Sequence, residues 1–420
     1  MWWWSSVAET PTAVVEPDDD MLGGERLADP YPYFAAMLEQ DPVHWNEKYR
    51  AWFLHKHADV LWALRNPAFS SDRVVPVFEK HLSPEKRAAR KPTLDVLRHW
   101  MVFLDPPDHT RLRKLVMPAF SPKAVARMRP RVEEVVRDTL AELDGKETFD
   151  FVRDFAYPIP AIVVAELIGV PVEDRDTFKK WSDDILTLVF GAQGQADRRE
   201  LAQQGLIELT DYLRDLIARI RLDPGDDIIS SLVRAGDVEP PLTDDEIVST
   251  CALLVFGGHE TTTNLIANGT RQLLLHPEQW ELLRTRPDLI GQAVEELLRF
   301  DGPSRLEARL LVEDVELRGK TLRAGESVYL VQSAANRDPE VFDHPHTLDI
   351  TRRKNAHVGF GFGVHHCLGN FLARLEANVA FTAVLDAMPD LALNGPETWH
   401  PTMMSRGMRT MPVKRTGVRA

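Results

Sequence analysis

Phe360-Gly361-Phe362-Gly363-Val364-His365-His366-Cys367-Leu368-Gly369 is the stretch on which the reading of this chain turns. It carries one of only two cysteines, Cys251 and Cys367, and a glycine-rich turn precedes it. A helical apolar pattern then runs to about Ala387. A thiol at a helix start meets free backbone N–H groups and the positive end of the dipole, which favour its thiolate. The glycines let backbone approach a flat ligand and turn donors toward the sulfur. Two plainer readings stand beside this one. An arbitrary free cysteine is most often a small buried hydrophobe. Zinc is the other, using Cys367 with His357, His365 or His366. Adjacent ligands strain a tetrahedron, and there is no second cysteine cluster to complete one.

Upstream, Thr243-x-x-Glu246 reads as a capping box that opens a long helix. The helical pattern runs to His276, where Pro277 stops it. That is roughly 50 Å of helix at about 1.5 Å per residue. Cys251–Phe256 is apolar all round, so the middle is predicted to be buried. Within it lies Gly257-Gly258-His259-Glu260-Thr261-Thr262-Thr263. Two interior glycines cost about 2 kcal/mol against alanine. Such a violation points to a local bulge or to a ligand that approaches closely. A second strong helix is expected over 287–300, ending before Gly302-Pro303, and strands over 309–331. Nearer the start, a helix is expected at 30–40, strands near 43–55 and a helix at 122–143. Two or more amphipathic helices should fill 173–220 around a break at 191–194.

The whole chain is consistent with one large domain. It has 420 residues, 44% hydrophobic and 27% charged, with no fixed-period repeat and no long linker. The expected division is a loose tail over 1–24 and a single domain over 25–420. The start, Met1-Trp2-Trp3-Trp4-Ser5-Ser6, is too short and too poor in basic residues for a signal peptide. No run of 18 apolar residues exists, so no membrane span is expected. Two cysteines make no disulfide framework, which suits the cytoplasm. A net charge of −14 argues against nucleic acid as a bulk partner.

The cysteine stretch resembles the haem-binding pattern of the cytochrome P-450 family, F-x-x-G-x-[HR]-x-C-x-G. It agrees at Phe360, Gly363, His365, Cys367 and Gly369, and Asn370–Arg374 continues it as in bacterial members. Glu296-x-x-Arg299 is similar to the family's structural ion pair. The same spacing also occurs from Glu47, Glu134 and Glu281, so only position selects it. Gly257–Thr262 resembles A-G-x-[DE]-T-T, with Gly257 in place of alanine. Asp105–Arg113 looks like the segment that meets the haem propionates. Weaker agreements lie at Asn336–Phe342, Asp349–Arg352 and Arg406–Val413, and the resemblance spans about 25–415. One departure is Thr347-Leu348, where an Arg-Phe pair is common; Arg352 is the candidate for the third member of the ion-pair network.

The resemblance implies a mainly α, roughly triangular single domain with a smaller β-rich side. It implies haem b held between the helix 243–276 and the helix at Cys367, with Cys367 as iron ligand. Phe360, Gly361, His365 and Gly369 would adjoin the cofactor, and His109, Arg113, Arg309 and His365 would hold its propionates. A thiolate ligand pushes electron density toward iron and favours O–O cleavage. Glu260 and Thr261 would deliver protons while one oxygen atom of O2 enters an organic substrate. No G-x-G-x-x-G fingerprint is present, so electrons are expected from a separate ferredoxin and its reductase. Arg111, Lys114, Arg352, Arg353 and Lys354 would form their basic docking patch. Substrate would meet segments 74–102, 186–195, 253–257, 303–308 and 402–405. Leu253, Gly257, Leu306 and Met403 are the leading candidates there, with Val74, Val77, Phe78, Val255 and Met404 beside them. His259 and Arg305 would add polar discrimination. A cytoplasmic monomer is expected. The rival readings are a peroxide-driven peroxygenase and a non-catalytic haem-thiolate binding protein.

Overall fold

A computed structural model describes residues 20–79, 82–174, 177, 180, 181, 196–234 and 241–415. Helices come first in mass: α1 (Tyr31–Gln40), α2 (His57–Ala63), α3 (Pro84–Leu97), α4 (Asp108–Val116), α5 (Pro122–Ala141) and α6 (Pro158–Ile168). The chain continues with α7 (Ala196–Ile220), α8 (Ile228–Arg234), α9 (Asp244–Leu275), α10 (Pro277–Thr285), α11 (Ile290–Asp301), α12 (Gln332–Ala335) and α13 (Asn370–Ala387).

α9 forms where the capping box predicted it. The Thr243 hydroxyl accepts from the Glu246 N–H at 3.2 Å, and the Glu246 carboxylate accepts from the Thr243 N–H at 2.8 Å. Pro277 starts the next helix. The centre of α9 is wrapped by α6, α7, α11 and α13, so Cys251–Phe256 are all buried. Packing is close enough that a Cβ on Gly269 would stand 2.5 Å from the Phe381 ring of α13. The bulge expected at Gly257–Thr263 does not form; the helix passes through it unbroken.

The smaller β side is a five-stranded sheet in the order β1 (Val43–Asn46), β2 (Ala51–Leu54), β8 (Ser327–Leu330), β5 (Glu307–Leu311), β3 (Phe69–Ser70). β2 and β8 run parallel; the other pairs are antiparallel. β4 (Thr148–Asp150), β12 (Pro412–Lys414) and β9 (Ala392–Leu393) make a second sheet. β6 (Val315–Leu317) with β7 (Lys320–Leu322), and β10 (Thr398–Trp399) with β11 (Met408–Thr410), are hairpin-sized pairs.

Distant parts of the chain are tied at Asp301, the last residue of α11. Its buried carboxylate accepts from the Tyr31 hydroxyl at 2.6 Å, from Gln272 at 2.6 Å and from the Arg406 guanidinium. The packed domain also begins earlier than residue 25. Met21 is buried beside Tyr33 and Phe34, and Asp20 pairs with Lys48 at 2.7 Å, so an apolar side chain and an ion pair hold this end down. Residues 1–19 and the break expected at 191–194 lie outside the described residues. Among the described residues, no helix is long and apolar enough to cross a membrane.

Candidate active site

The cysteine loop is closed by its own backbone. The Cys367 N–H donates to the Phe360 carbonyl at 2.8 Å, and the Gly361 N–H to the Val358 carbonyl at 2.9 Å. Asn370 donates to the Cys367 carbonyl at 2.8 Å. Gly361 and Gly363 have φ of 66° and 72°, in the left-handed region. Space forbids a side chain as well: a Cβ would stand 2.7 Å from a Glu307 oxygen at Gly361, and 2.7 Å from the Leu64 carbonyl at Gly363. α13 starts three residues after the cysteine, so the loop and not the first helical turn presents the sulfur. Burial pushes the thiol pKa up. The Gly369 N–H and the Arg113 and Arg374 guanidinium groups act in the opposite sense without overcoming it.

The sulfur opens on a cavity of about 330 Å³ between this loop with α13 on one side and α9 on the other. Leu253, Gly257, Gly258, Thr261 and Thr262 form the α9 wall. Met101, Val102, Val164, Leu254, Pro303 and Ser304 add to a mostly apolar lining. Val164 and Phe120 lie outside every segment expected to meet substrate. Leu306 and Met403 do not line the cavity. They pack with Phe34, Met37 and Phe53 in a separate core cluster. Ser304 and Glu307 turn toward the cavity, which sends Leu306 to the other face. Met404 packs against that same cluster. Arg305 also turns away, its Nη1 donating to the Thr402 carbonyl at 3.2 Å, and burial lowers its pKa to about 9. Val74 joins the main core, and Val255 is buried off the cavity. The Val77 and Phe78 side chains and segment 186–195 lie outside the described residues.

One edge of the cavity is cationic and unsatisfied. His109 and His365 both line it, with ring centroids 4.2 Å apart. His109 Nδ1 and His365 Nε2 are buried without a hydrogen-bond partner. Burial and then Arg113 lower the His109 pKa to about 4. His365 is lowered further by burial, then by Arg309, His109, Arg113 and Arg73. Arg113 lines the cavity and donates to the His366 carbonyl at 2.6 Å. Arg309 stands behind Glu307, paired with it at 2.7 Å, and does not itself reach the lining. Arg73 was not expected. Its Nε is buried without a partner, its guanidinium lies 5.1 Å from the Phe103 ring centroid, and burial lowers its pKa to about 10. In sequence, Ser71-Asp72-Arg73 looks like an ordinary surface turn.

These features fit haem b. A flat apolar disc needs a slot whose faces carry little bulk. A Cβ added at Gly257 or at Gly369 would meet nothing within 4 Å, and both residues line the cavity. The disc's two carboxylates need donors at one edge, and buried nitrogens without partners stand there. Iron needs a soft ligand, and the sulfur opens on the same space. Zinc fits poorly. His357 is committed to Glu295 at 3.0 Å and accepts from the Gly359 N–H at 3.1 Å. Among the described residues no group of three or more His, Cys, Asp or Glu could hold a metal ion.

Of the expected acid–threonine pair, only Thr261 lines the cavity. Its hydroxyl donates to the Gly257 carbonyl at 3.0 Å, as Thr262 does to Gly258 at 3.3 Å. Glu260 is buried beside the cavity and turned away from it. Its Oε1 accepts from Ser405 at 3.2 Å and from Asn264 at 3.4 Å, and Ser405 meets Thr402 at 2.9 Å. His259 packs edge-on against Tyr157, away from the lining.

The Glu296–Arg299 pair is closed by two hydrogen bonds of 2.7 and 2.8 Å, with both side chains fully buried. Arg352 is its third member, donating to Glu296 at 3.0 Å. This removes Arg352 from the expected basic patch, and Arg111 leaves it too, bonded to Glu246. Lys114, Arg353 and Lys354 remain exposed.

The cytochrome P450 family model matches residues 72–388. The chain is 36% identical to cytochrome P450 CYP107DY1 of Priestia megaterium, over 94% of this chain and 98% of that protein. It is 39% identical to a vitamin D(3) 25-hydroxylase of Pseudonocardia autotrophica, over 94% and 96%. Among solved structures it resembles P450BioI in complex with hexadec-9Z-enoic acid ligated acyl carrier protein. The TM-score is 0.87 at 35% identity, covering 94% of this chain and 100% of that one.

Proposed function

The chain belongs to the cytochrome P450 family, and from that premise we propose that it inserts one oxygen atom of O2 into a largely apolar organic substrate, with Cys367 as the thiolate that binds the iron of haem b. The observation that carries this reading is the joint placement of the Cys367 sulfur and the unpartnered His109 and His365 nitrogens on one cavity. The haem, when bound, supplies the activation of O2. The rest is the work of the chain's own residues. His109, Arg113 and His365 hold the propionates, with Arg309 and Arg73 as charge behind them. Gly257 and Gly369 leave room for the ring, with Phe360 and Gly361 on the wall beside it. Thr261, on the cavity wall, turns its hydroxyl from the Gly257 carbonyl to donate into the cavity. Glu260, in its chain with Ser405 and Thr402, stores the proton that Thr261 passes on. Leu253, Leu254, Met101 and Val164 exclude water and hold an apolar substrate. The relatives named for vitamin D(3) and solved with a hexadecenoic acid are consistent with a substrate of that kind.

Electrons come from a ferredoxin and its reductase. Lys114, Arg353 and Lys354, with the exposed Phe362 and Val364 beside the cysteine, support docking there. The protein works as a cytoplasmic monomer. The test has two parts. The reduced CO complex should show the red-shifted Soret band of thiolate ligation; a histidine-type band in native protein rejects Cys367. Product should form with ferredoxin, reductase, NAD(P)H and O2; product from peroxide alone, and none with the electron-transfer system, establishes a peroxygenase instead.

A further inference from the structure

A second cleft, of about 520 Å³, shares no lining residue with the haem cavity. It lies between the start of α1, the last turns of α9, the end of α11 and Arg406. Three arginines line it, Arg271, Arg337 and Arg406. Among the described residues one acid lines it, Asp29, which is exposed and accepts from the Tyr31 N–H at 3.2 Å. The arginines differ in how fully they are answered. Arg406 is fully engaged, through Nε with Asp301, Nη1 with the Leu27 carbonyl at 3.3 Å and Nη2 with the Ala28 carbonyl at 2.9 Å. Arg271 gives only its Nε, to Glu397 at 2.6 Å. Arg337 meets no acid. Its Nε and Nη2 both donate to the Phe300 carbonyl, at 3.1 and 2.6 Å, and its Nη1 has no partner among the described residues. Yet Arg337 is only 6% exposed. Burial, with Arg299 and Arg406, lowers its pKa in spite of Tyr31 and Asp301. Arg305, buried near Arg406, has no acid partner either, so the Asp301 carboxylate stands among three buried guanidinium groups. A buried cation without a counter-ion is costly, and a guanidinium does not shed its proton to escape the cost.

We propose that this cleft binds a small oxyanion, a carboxylate or a phosphate, which accepts from Arg337 Nη1 and from the free Nη groups of Arg271, with His346 on the same wall. The planar fork of a guanidinium matches both kinds of oxyanion. Arg337 is already set for the contact. Its guanidinium lies 3.5 Å from the Tyr31 ring centroid and 3.8 Å from that of Phe300, so two rings fix its plane before a ligand arrives. Less side-chain freedom is then lost on binding. An anion held there joins α1 to the ends of α9 and α11, and so raises the unfolding midpoint. The site is separate from haem and substrate, and it does not depend on the monooxygenase reading.

Calorimetric titration of the haem-loaded protein with citrate and, separately, with inorganic phosphate tests this, at constant ionic strength set by sodium chloride. Bound haem keeps the cationic edge of the first cavity out of the measurement. Saturable binding of one equivalent is expected for at least one of the two, with a rise in the unfolding midpoint. Citrate alone assigns a carboxylate ligand, phosphate alone a phosphate, and competition between them a seat that takes either. Arg337→Gln and Arg271→Gln should each weaken binding roughly tenfold, the loss expected of one charge-assisted hydrogen bond. The CO band of both should stay that of the wild type. Arg284→Gln removes an exposed charge on α10, paired with Glu281 away from the cleft, and should leave binding unchanged. If Arg337→Gln does not fold, Arg271→Gln decides, because that side chain is partly exposed. No saturable binding of either anion overturns the proposal. So does binding that the cleft variants leave unchanged, or that Arg284→Gln weakens as much as they do.

Discussion

Glu296 on α11 and Glu376 on α13 are the same residue type, and both are buried. Glu296 accepts from Arg299, Arg352, Asn355 and the Asp349 backbone N–H. No donor meets Glu376 Oε2, and it faces a cavity. The difference separates two uses of a buried acid. Where every lone pair is answered, the group belongs to the frame. Where the lone pairs are left open on a wall, the group is kept for something that arrives later. The histidines divide in the same way. His357 has both ring nitrogens engaged, whereas His109 and His365 each present an open one to the cavity.

The comparison can be broken most decisively at Glu296. Glu296→Ala leaves Arg299 and Arg352 without their acid and should cost about 3–5 kcal/mol of stability. Denaturant unfolding checks this, and a cost under about 1 kcal/mol would show that the network is not part of the frame.

A second satisfied acid, Asp301, tests the same idea through pH. Burial pushes its carboxyl up, but Arg406, Tyr31 and Gln272 outweigh that and hold the pKa at about 2. A carboxylate depressed in the folded state contributes its full stability above its unfolded value. That contribution is lost as pH falls from about 4 toward 2, and is worth roughly 2 kcal/mol. Glu295 acts in the same window: its pKa is about 2, because burial is outweighed by Arg374 and His357. Unfolding midpoints measured from pH 5 downward should fall less steeply in Asp301→Asn than in wild type; parallel curves contradict the assignment.

On the cavity side, Thr261→Ala should leave haem and substrate binding nearly intact. It should lower product per NAD(P)H several-fold, about 1 kcal/mol at the branch point, with the missing electrons appearing as H2O2. If Thr261 serves only the Gly257 carbonyl, the ratio will not move and a small loss of stability will be all that is seen. The smallest effect is expected from Glu376→Leu on stability. Removing an unanswered buried polar group should be neutral or stabilising by up to about 1 kcal/mol. A loss as large as that of Glu296→Ala would place Glu376 in the frame after all.

Much of this division was legible in the amino-acid order. The cysteine loop, the capped helix α9 and the buried run Cys251–Phe256 are local patterns, and local physics decides them. Facing direction was not legible. Leu306 and Met403 are apolar residues in the expected segments, yet both pack into another cluster, Leu306 because Ser304 and Glu307 take the cavity side. Glu260 and Thr261 are adjacent, so the turn of the helix points them to different sides. Pairing across long separations was legible only in part: Arg352, expected both in the ion-pair network and in the basic patch, does meet Glu296, whereas Arg111, which meets Glu246, looked like a surface cation available to a partner. Arg73 and Glu376 escaped for the opposite reason. A single charged residue in an ordinary context predicts solvent, and only burial without a partner reveals it.

The knot of contacts at Asp301 bears on how the protein is made. Tyr31 is synthesised before Gln272 and Asp301, and Arg406 follows them all. A chain still tethered to the ribosome with residue 406 unreleased therefore holds an acid at the centre of its fold without the cation that balances it. The cavity wall itself is drawn from Met101 through Glu376. Truncation before Arg406 should therefore destabilise the chain by leaving the Asp301 carboxylate buried without its cation, even though every residue of the cavity is already present in it.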